Sequence, residues 1–288
     1  MKLTHAWFAL SLVALVACGS DADEASTGTA KFTTWGEEYI EDGIEAQAGA
    51  TVGFVDGWSV KYDKFLVNFG GITVKDAAGK VAATQAGTLL VDNTQKGVKT
   101  LLEFPGLEAK AYTDVSYSLL PVTPATVVVG ASAADRDAMA AKGLAIWVAG
   151  KATKGGVEKR FSWGFATTTL LTECKAEEDG KETSGIVVRT NQTDVSELTT
   201  HGDHFFYDRL QASPDPAVVT SLRFDAIAAA DKDGDGDVTL DELKAVPLDV
   251  PTYNPSPFAV TNLGDFVTSL SRTVGHYRGE GECVVNAK

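Results

Sequence analysis

The stretch "DVSYSLL", residues 114–120, decides the fold. Val115, Tyr117 and Leu119 share one parity, while Asp114, Ser116 and Ser118 share the other. Successive side chains of an extended chain point to opposite faces, so this alternation makes a half-buried antiparallel strand.

Working outward, the same period governs most of residues 31–200. "FSWGF" (161–165) alternates through Phe161, Trp163 and Phe165. In "VKYDKFLVNF" (60–69) the apolar parity changes from Val60 and Tyr62 to Phe65, Val67 and Phe69. A bulge near Lys64 reconciles the two phases. Turn signals at "GG" (70–71), "DAAGK" (76–80) and "KGG" (154–156) divide short strands, and many short strands with frequent turns predict a β-sandwich. One helix is expected inside it, over residues 133–142, capped by Ser132 and ended by Gly143. Trp35, Trp58, Trp147 and Trp163 lie in strand patterns and read as core, not as a sugar platform.

Beyond Thr200 the texture changes. Residues 216–230 place Val219, Leu222, Ala226, Ile227 and Ala230 at helical spacing, and residues 261–277 repeat this through Leu263, Phe266, Leu270 and Val274. "VPTYNPSPF" (250–258) joins them as a turn-rich connection. The expected class is therefore α+β, mainly β: an antiparallel sandwich over residues 31–200, then a small helical segment over residues 201–288.

The first residues have another purpose. Lys2 precedes an eleven-residue apolar run (6–16), too short to span a bilayer and suited to a signal-peptide core. "LVAC" (15–18) follows and resembles the lipobox of bacterial lipoproteins. That resemblance implies removal of residues 1–17, lipidation of Cys18 and attachment to a membrane through the lipid. Gly19 after the cysteine is similar to lipoproteins sorted to the outer membrane. Residues 18–30, small, polar and acidic, read as a flexible tether. Losing Lys2 leaves 24 basic against 39 acidic residues, a formal charge of −15. So acidic a surface argues against nucleic acid and against electrostatic attraction to anionic lipid. Cys174 and Cys283 then remain as an even pair, which in an exported chain predicts a disulfide.

"DKDGDGDVTLDE" (231–242) sets six acidic side chains against Lys232 in twelve positions. Calcium takes six to eight oxygens, and a short loop must wind around it to supply them. The stretch resembles the EF-hand. The resemblance implies the side chains of Asp231, Asp233 and Asp235, the carbonyl of Asp237, Thr239 through water, and a bidentate Glu242 as ligands. Gly236 falls at the sharp turn and Val238 at the apolar position. The chain departs from the family in having no second loop and an exit helix cut short by Pro247. The mature chain keeps Met139 alone, so no methionine-rich groove exists to be exposed. Calcium is the expected cofactor, at a structural or constitutive site.

His201, His204 and His276 are the histidines left after residue 17. The first two stand in "HGDHFFYD" (201–208) with Asp203 and Asp208, and imidazoles with carboxylates suit zinc, copper or iron. His276 is the third candidate, brought near by the Cys283 link. The other reading is a pair of hydrogen-bonded histidines beside an aromatic plug, Phe205–Phe206–Tyr207. No nucleophile elbow, phosphate loop, HExxH or dinucleotide fingerprint occurs, so no enzyme is expected. These readings leave a calcium-stabilised envelope protein with an unidentified protein or glycan partner, or a periplasmic handler of copper or zinc.

Overall fold

The computed structural model describes residues 26–49, 51–178, 181–211 and 220–287. The expected signal peptide and Cys18 lie outside these residues. Strands make up 46% of the structure and helices 15%, so the protein is mainly β, with curled sheets in a sandwich-like arrangement.

The strand Ser59–Lys75 organises the larger, ten-stranded sheet. Its first half pairs with Ile146–Lys154, and its second half with Asp114–Leu119. The register slips between Tyr62 and Lys64, the bulge that the parity change predicts. Gly70–Gly71 is not a turn, as the sequence suggests, but a second irregularity inside one continuous strand. Gly71 has φ +62°, which a residue without Cβ tolerates, and the strand bends there instead of reversing. Val157–Phe165 flanks Ile146–Lys154 on one side, and Thr169–Thr172 flanks Asp114–Leu119 on the other. In Asp114–Leu119 even Ser116 and Ser118 are largely covered, so this strand is buried on both faces.

The smaller sheet runs Gly275–Tyr277, Thr193–Thr200, Thr27–Thr34, Lys99–Glu108. Its central pair, Thr27–Thr34 with Thr193–Thr200, is parallel, a departure from the all-antiparallel expectation. The tether expected through Ala30 gives way to strand at Thr27.

The helix Ala133–Lys142 forms between its expected caps. Ser132 accepts from the Asp135 amide and Gly143 takes the left-handed conformation. It lies on the outer side of the large sheet, where Met139 packs with Leu66, Leu90, Val122 and Leu144. Full burial of one such side chain contributes roughly 1.5–3 kcal/mol. The tryptophans divide: Trp58 and Trp163 are buried, whereas Trp35 and Trp147 are only partly so.

The segment after Thr200 is less helical than its periodicity suggests. Its α-helices are Asp225–Ala228, Leu240–Lys244 and Leu263–Leu270. Asp56 caps the first by accepting from the Phe224 and Asp225 amides, at 2.7 and 2.8 Å, so the helix starts late in the expected stretch. After Leu270 the chain turns and returns to the sheets. Gly275–Tyr277 joins Thr193–Thr200, and Val284–Ala287 joins Thr169–Thr172. Cys174 and Cys283, both buried, lie at disulfide distance beside this last pairing, with Sγ–Sγ 2.09 Å.

Candidate metal centre

His201 follows the last residue of the strand Thr193–Thr200, and its amide donates to the Val274 carbonyl at 2.9 Å. Gly202 is already helical, and the 3₁₀ turn Asp203–Phe206 follows. Three residues per turn bring His201 and His204 to the same side. The same turn drives Phe205 onto Phe165, stacked at 5.3 Å, and Phe206 against Phe54 at 5.1 Å. The aromatic plug therefore anchors the histidine pair. His276 arrives on Gly275–Tyr277, in register with Thr199.

The three imidazoles form one buried cluster, each 3–4% exposed. Ring centroids lie 4.0 Å apart for His201–His276, 5.0 Å for His204–His276 and 5.3 Å for His201–His204. One ring nitrogen from each lies within 4.8 Å of the others. His201 Nε2 and both ring nitrogens of His276 are buried without a well-formed hydrogen bond, although backbone groups of Glu280, Thr273 and Gly281 lie near His276 and partly favour its charged form.

The tautomer of His204 is coupled to its neighbour. Thr273 Oγ1 lies 3.0 Å from His204 Nδ1 and donates to the Leu270 carbonyl at 3.0 Å. A hydroxyl has one proton, so when it serves the Leu270 carbonyl, Nδ1–H donates to Thr273. The Nε2 lone pair is then left for a ligand, the arrangement that metal-bound histidines show. Burial first, and the neighbouring imidazoles second, hold His204 and His276 well below the ordinary imidazole range. Both are neutral, as ligation requires.

Glu37 Oε1 stands 3.4 Å from His201 Nε2, and Glu280 Oε2 stands 4.0 Å from His201 Nδ1. Burial pushes Glu37 up to about 7, opposed by His201 and reinforced by Glu280 and Asp203. Asp203 is itself raised, chiefly by burial, and accepts from the Tyr207 hydroxyl at 2.9 Å. Glu37, Asp203, Glu280, Tyr207, Tyr39 and His201 all line a cleft of about 440 Å³. Asp208 takes no part: it pairs with Arg223 and accepts from the Ser221 amide.

At the acidic loop, one carboxylate oxygen each from Asp231, Asp233 and Glu242 lies within 4.8 Å of the others. Asp231 accepts from the Gly234 and Gly236 amides at 2.8 and 3.0 Å, and Gly236 has φ +87°. Asp235 accepts from the Asp237 amide, while the Asp237 carboxylate pairs with Arg160 at 2.7 Å. Thr239 and Glu242 cap the helix Leu240–Lys244 reciprocally. The entering helix ends at Ala228 and continues to Ala230 only as a turn. No sister loop faces this one among the described residues. Instead Asp237–Val238 pairs with Arg160 and Phe161, Val238 is buried, and its carbonyl accepts from Trp163 Nε1 at 2.9 Å. Lys159 Nζ reaches in to pair with Asp231.

Comparison of the chain with protein-family models, curated proteins and solved structures found no match. Its chemistry is read from geometry alone.

The structure thus gathers all three histidines, and it gathers three of the six acidic-loop residues. Sequence reading misses Glu37 and Glu280, which stand far from residues 201–204 in the chain. It also misses Lys159 and Arg160, charged residues at the start of a strand pattern that nothing local ties to the acidic loop.

Proposed function

We propose that the protein binds a transition metal, copper or zinc, through His201, His204 and His276. The observation that carries this is the buried trio, whose ring nitrogens converge within 4.8 Å of one another and lack well-formed hydrogen bonds at His201 Nε2 and His276. Unpaired buried polar atoms cost roughly 1–3 kcal/mol each, and a bound ion offsets that cost. Three imidazoles suit zinc and copper, whereas calcium prefers oxygen. Metal analysis of the purified mature chain tests the reading. About one equivalent of copper or zinc is expected, and its absence after incubation with either ion sinks it.

Acid should unfold the metal-free chain more easily through these residues. Their folded pKa values lie below the unfolded value of about 6.5, so their contribution is present above that pH and lost as pH falls. Glu37 has the opposite sign: raised to about 7, it stabilises in acid and loses that contribution as pH rises through 7. The comparison is therefore made in a Glu37→Gln background. There, adding His204→Gln and His276→Gln should reduce the drop in urea midpoint between pH 7.5 and 5.5. An equal or larger drop contradicts the assignment.

A second reading, calcium at residues 231–242, is favoured by the convergence of Asp231, Asp233 and Glu242. With a dissociation constant of about 10 µM and 1 mM calcium, linkage gives about 2.7 kcal/mol. That corresponds to a melting shift of about 5–10 °C for a chain of this size. Glu242→Gln should abolish most of it. Lys159→Met should bind calcium more tightly, since the ion no longer displaces an ammonium from Asp231. A melting temperature indifferent to millimolar calcium rules this reading out.

The cysteine pair suits an oxidising, exported setting. We place the mature chain on a lipid at Cys18, with calcium, the metal and an envelope partner as its ligands. Cys18→Ala should release it from the membrane fraction; a processed, membrane-retained mutant refutes the anchor.

A further inference from the structure

We infer that Glu37, Glu280 and His201 form an outer cation subsite through which the metal reaches the three-histidine centre. The inference rests on the transition-metal reading above. One ligand atom from each of these three residues lies within 4.8 Å of the others, as in the inner cluster, and His201 belongs to both. His201 lines the cleft, whereas His204 and His276 do not. Exposure falls inward along this path: the Glu280 side chain is 89% exposed, Glu37 is 17% and His201 is 5%.

Charge fits a cation and little else. Glu37, Asp203 and Glu280 line the cleft with no lysine or arginine in its walls among the described residues. Asp203 Oδ1, in a residue only 5% exposed, has no hydrogen-bond partner, and neither has His201 Nε2. Anions are repelled there, and a mixed carboxylate–imidazole set selects a borderline divalent ion over calcium.

The shared residue dictates the order of events. A neutral imidazole has one lone pair, so His201 serves one ion at a time. An ion held by Glu280, Glu37 and His201 exchanges water for carboxylate oxygen while its charge is still compensated. It then trades the carboxylates for His204 and His276 in the buried centre. Desolvation is thereby divided into two smaller steps.

The test uses the full mature chain with Zn²⁺, followed by stopped-flow competition with a chromophoric chelator. In the Glu37→Gln/Glu280→Gln variant, association should slow about tenfold, while equilibrium affinity changes less than threefold. In a His204→Ala/His276→Ala chain, weak binding should persist and vanish when Glu280→Gln is added. Lost affinity with unchanged association makes Glu37 a direct ligand of the inner ion and overturns the subsite. So does an unchanged rate, or a slowed rate with no residual binding in the chain lacking the inner histidines, which is steering alone. A native chain that binds no zinc or copper fails differently: it removes the three-histidine reading itself.

Discussion

Replacing His204 and His276 together by alanine is expected to weaken copper or zinc binding by at least about 100-fold. Two of three buried nitrogens are lost, and each factor of ten corresponds to about 1.4 kcal/mol. The native chain at a thousand times its dissociation constant gains about 4.1 kcal/mol of stability from the ion, and the variant should gain at most about 1.4 kcal/mol. Both positions are buried, so the variant is also cavity-bearing and less stable without metal. Thr273→Val guards against that ambiguity. It keeps all three imidazoles but removes the hydroxyl beside His204 Nδ1, and loss of such an outer partner costs roughly 10–100-fold in metal affinity. Calorimetric titration reads both. Native-like affinity in both variants would mean that the histidines are not ligands.

Cys174→Ala/Cys283→Ala should be the most destabilising change outside the candidate metal centre. The two cysteines are 109 positions apart, and in the chain-entropy picture a loop of about 100 residues is worth about 4.7 kcal/mol. For a chain of this size that means roughly 10–20 °C in melting temperature. The link also holds the segment carrying His276, seven residues before Cys283. Metal affinity should therefore fall with it, although neither cysteine touches the imidazoles. Thermal melts with and without reductant measure the first effect, and metal titration of the reduced chain the second. A melting temperature within about 2 °C of the oxidised protein would show that the sheets alone hold the carboxyl-terminal segment.

What could be read before the fold was local. The parity change in residues 60–69 becomes a bulge at Tyr62–Lys64, and Ser132 and Gly143 cap the helix between them. Both follow from sterics acting within a few residues. The parallel pairing of Thr27–Thr34 with Thr193–Thr200 has no such signature, because its partners lie more than 150 residues apart. Leu263, Phe266, Leu270 and Val274 keep helical spacing throughout, yet the helix stops at Leu270 and Val274 is buried just before a strand. Burial alone fixes that pattern, and a strand entering the core buries Val274 equally well. At the metal centre, residue scarcity made the histidines visible. Glu37 and Glu280 were hidden in a chain with 39 acids, where a carboxylate has no distinguishing mark.

The docking of Asp237–Val238 against Arg160 and Phe161 has a consequence for how molecules meet. Val157–Phe165 is fully paired on its inner side with Ile146–Lys154, while on its outer side, among the described residues, the ladder is limited to Asp237–Val238 and the Gly236 carbonyl that accepts from the Arg160 amide. An unpaired strand border offers N–H and C=O groups to any passing chain, a template for intermolecular growth. The acidic loop, held by Arg160 and Lys159, shields that border with negative charge. A second molecule that zipped onto this side would first have to displace Asp237 and Val238 and meet like charge, so the loop guards against self-association as well as riveting one molecule together.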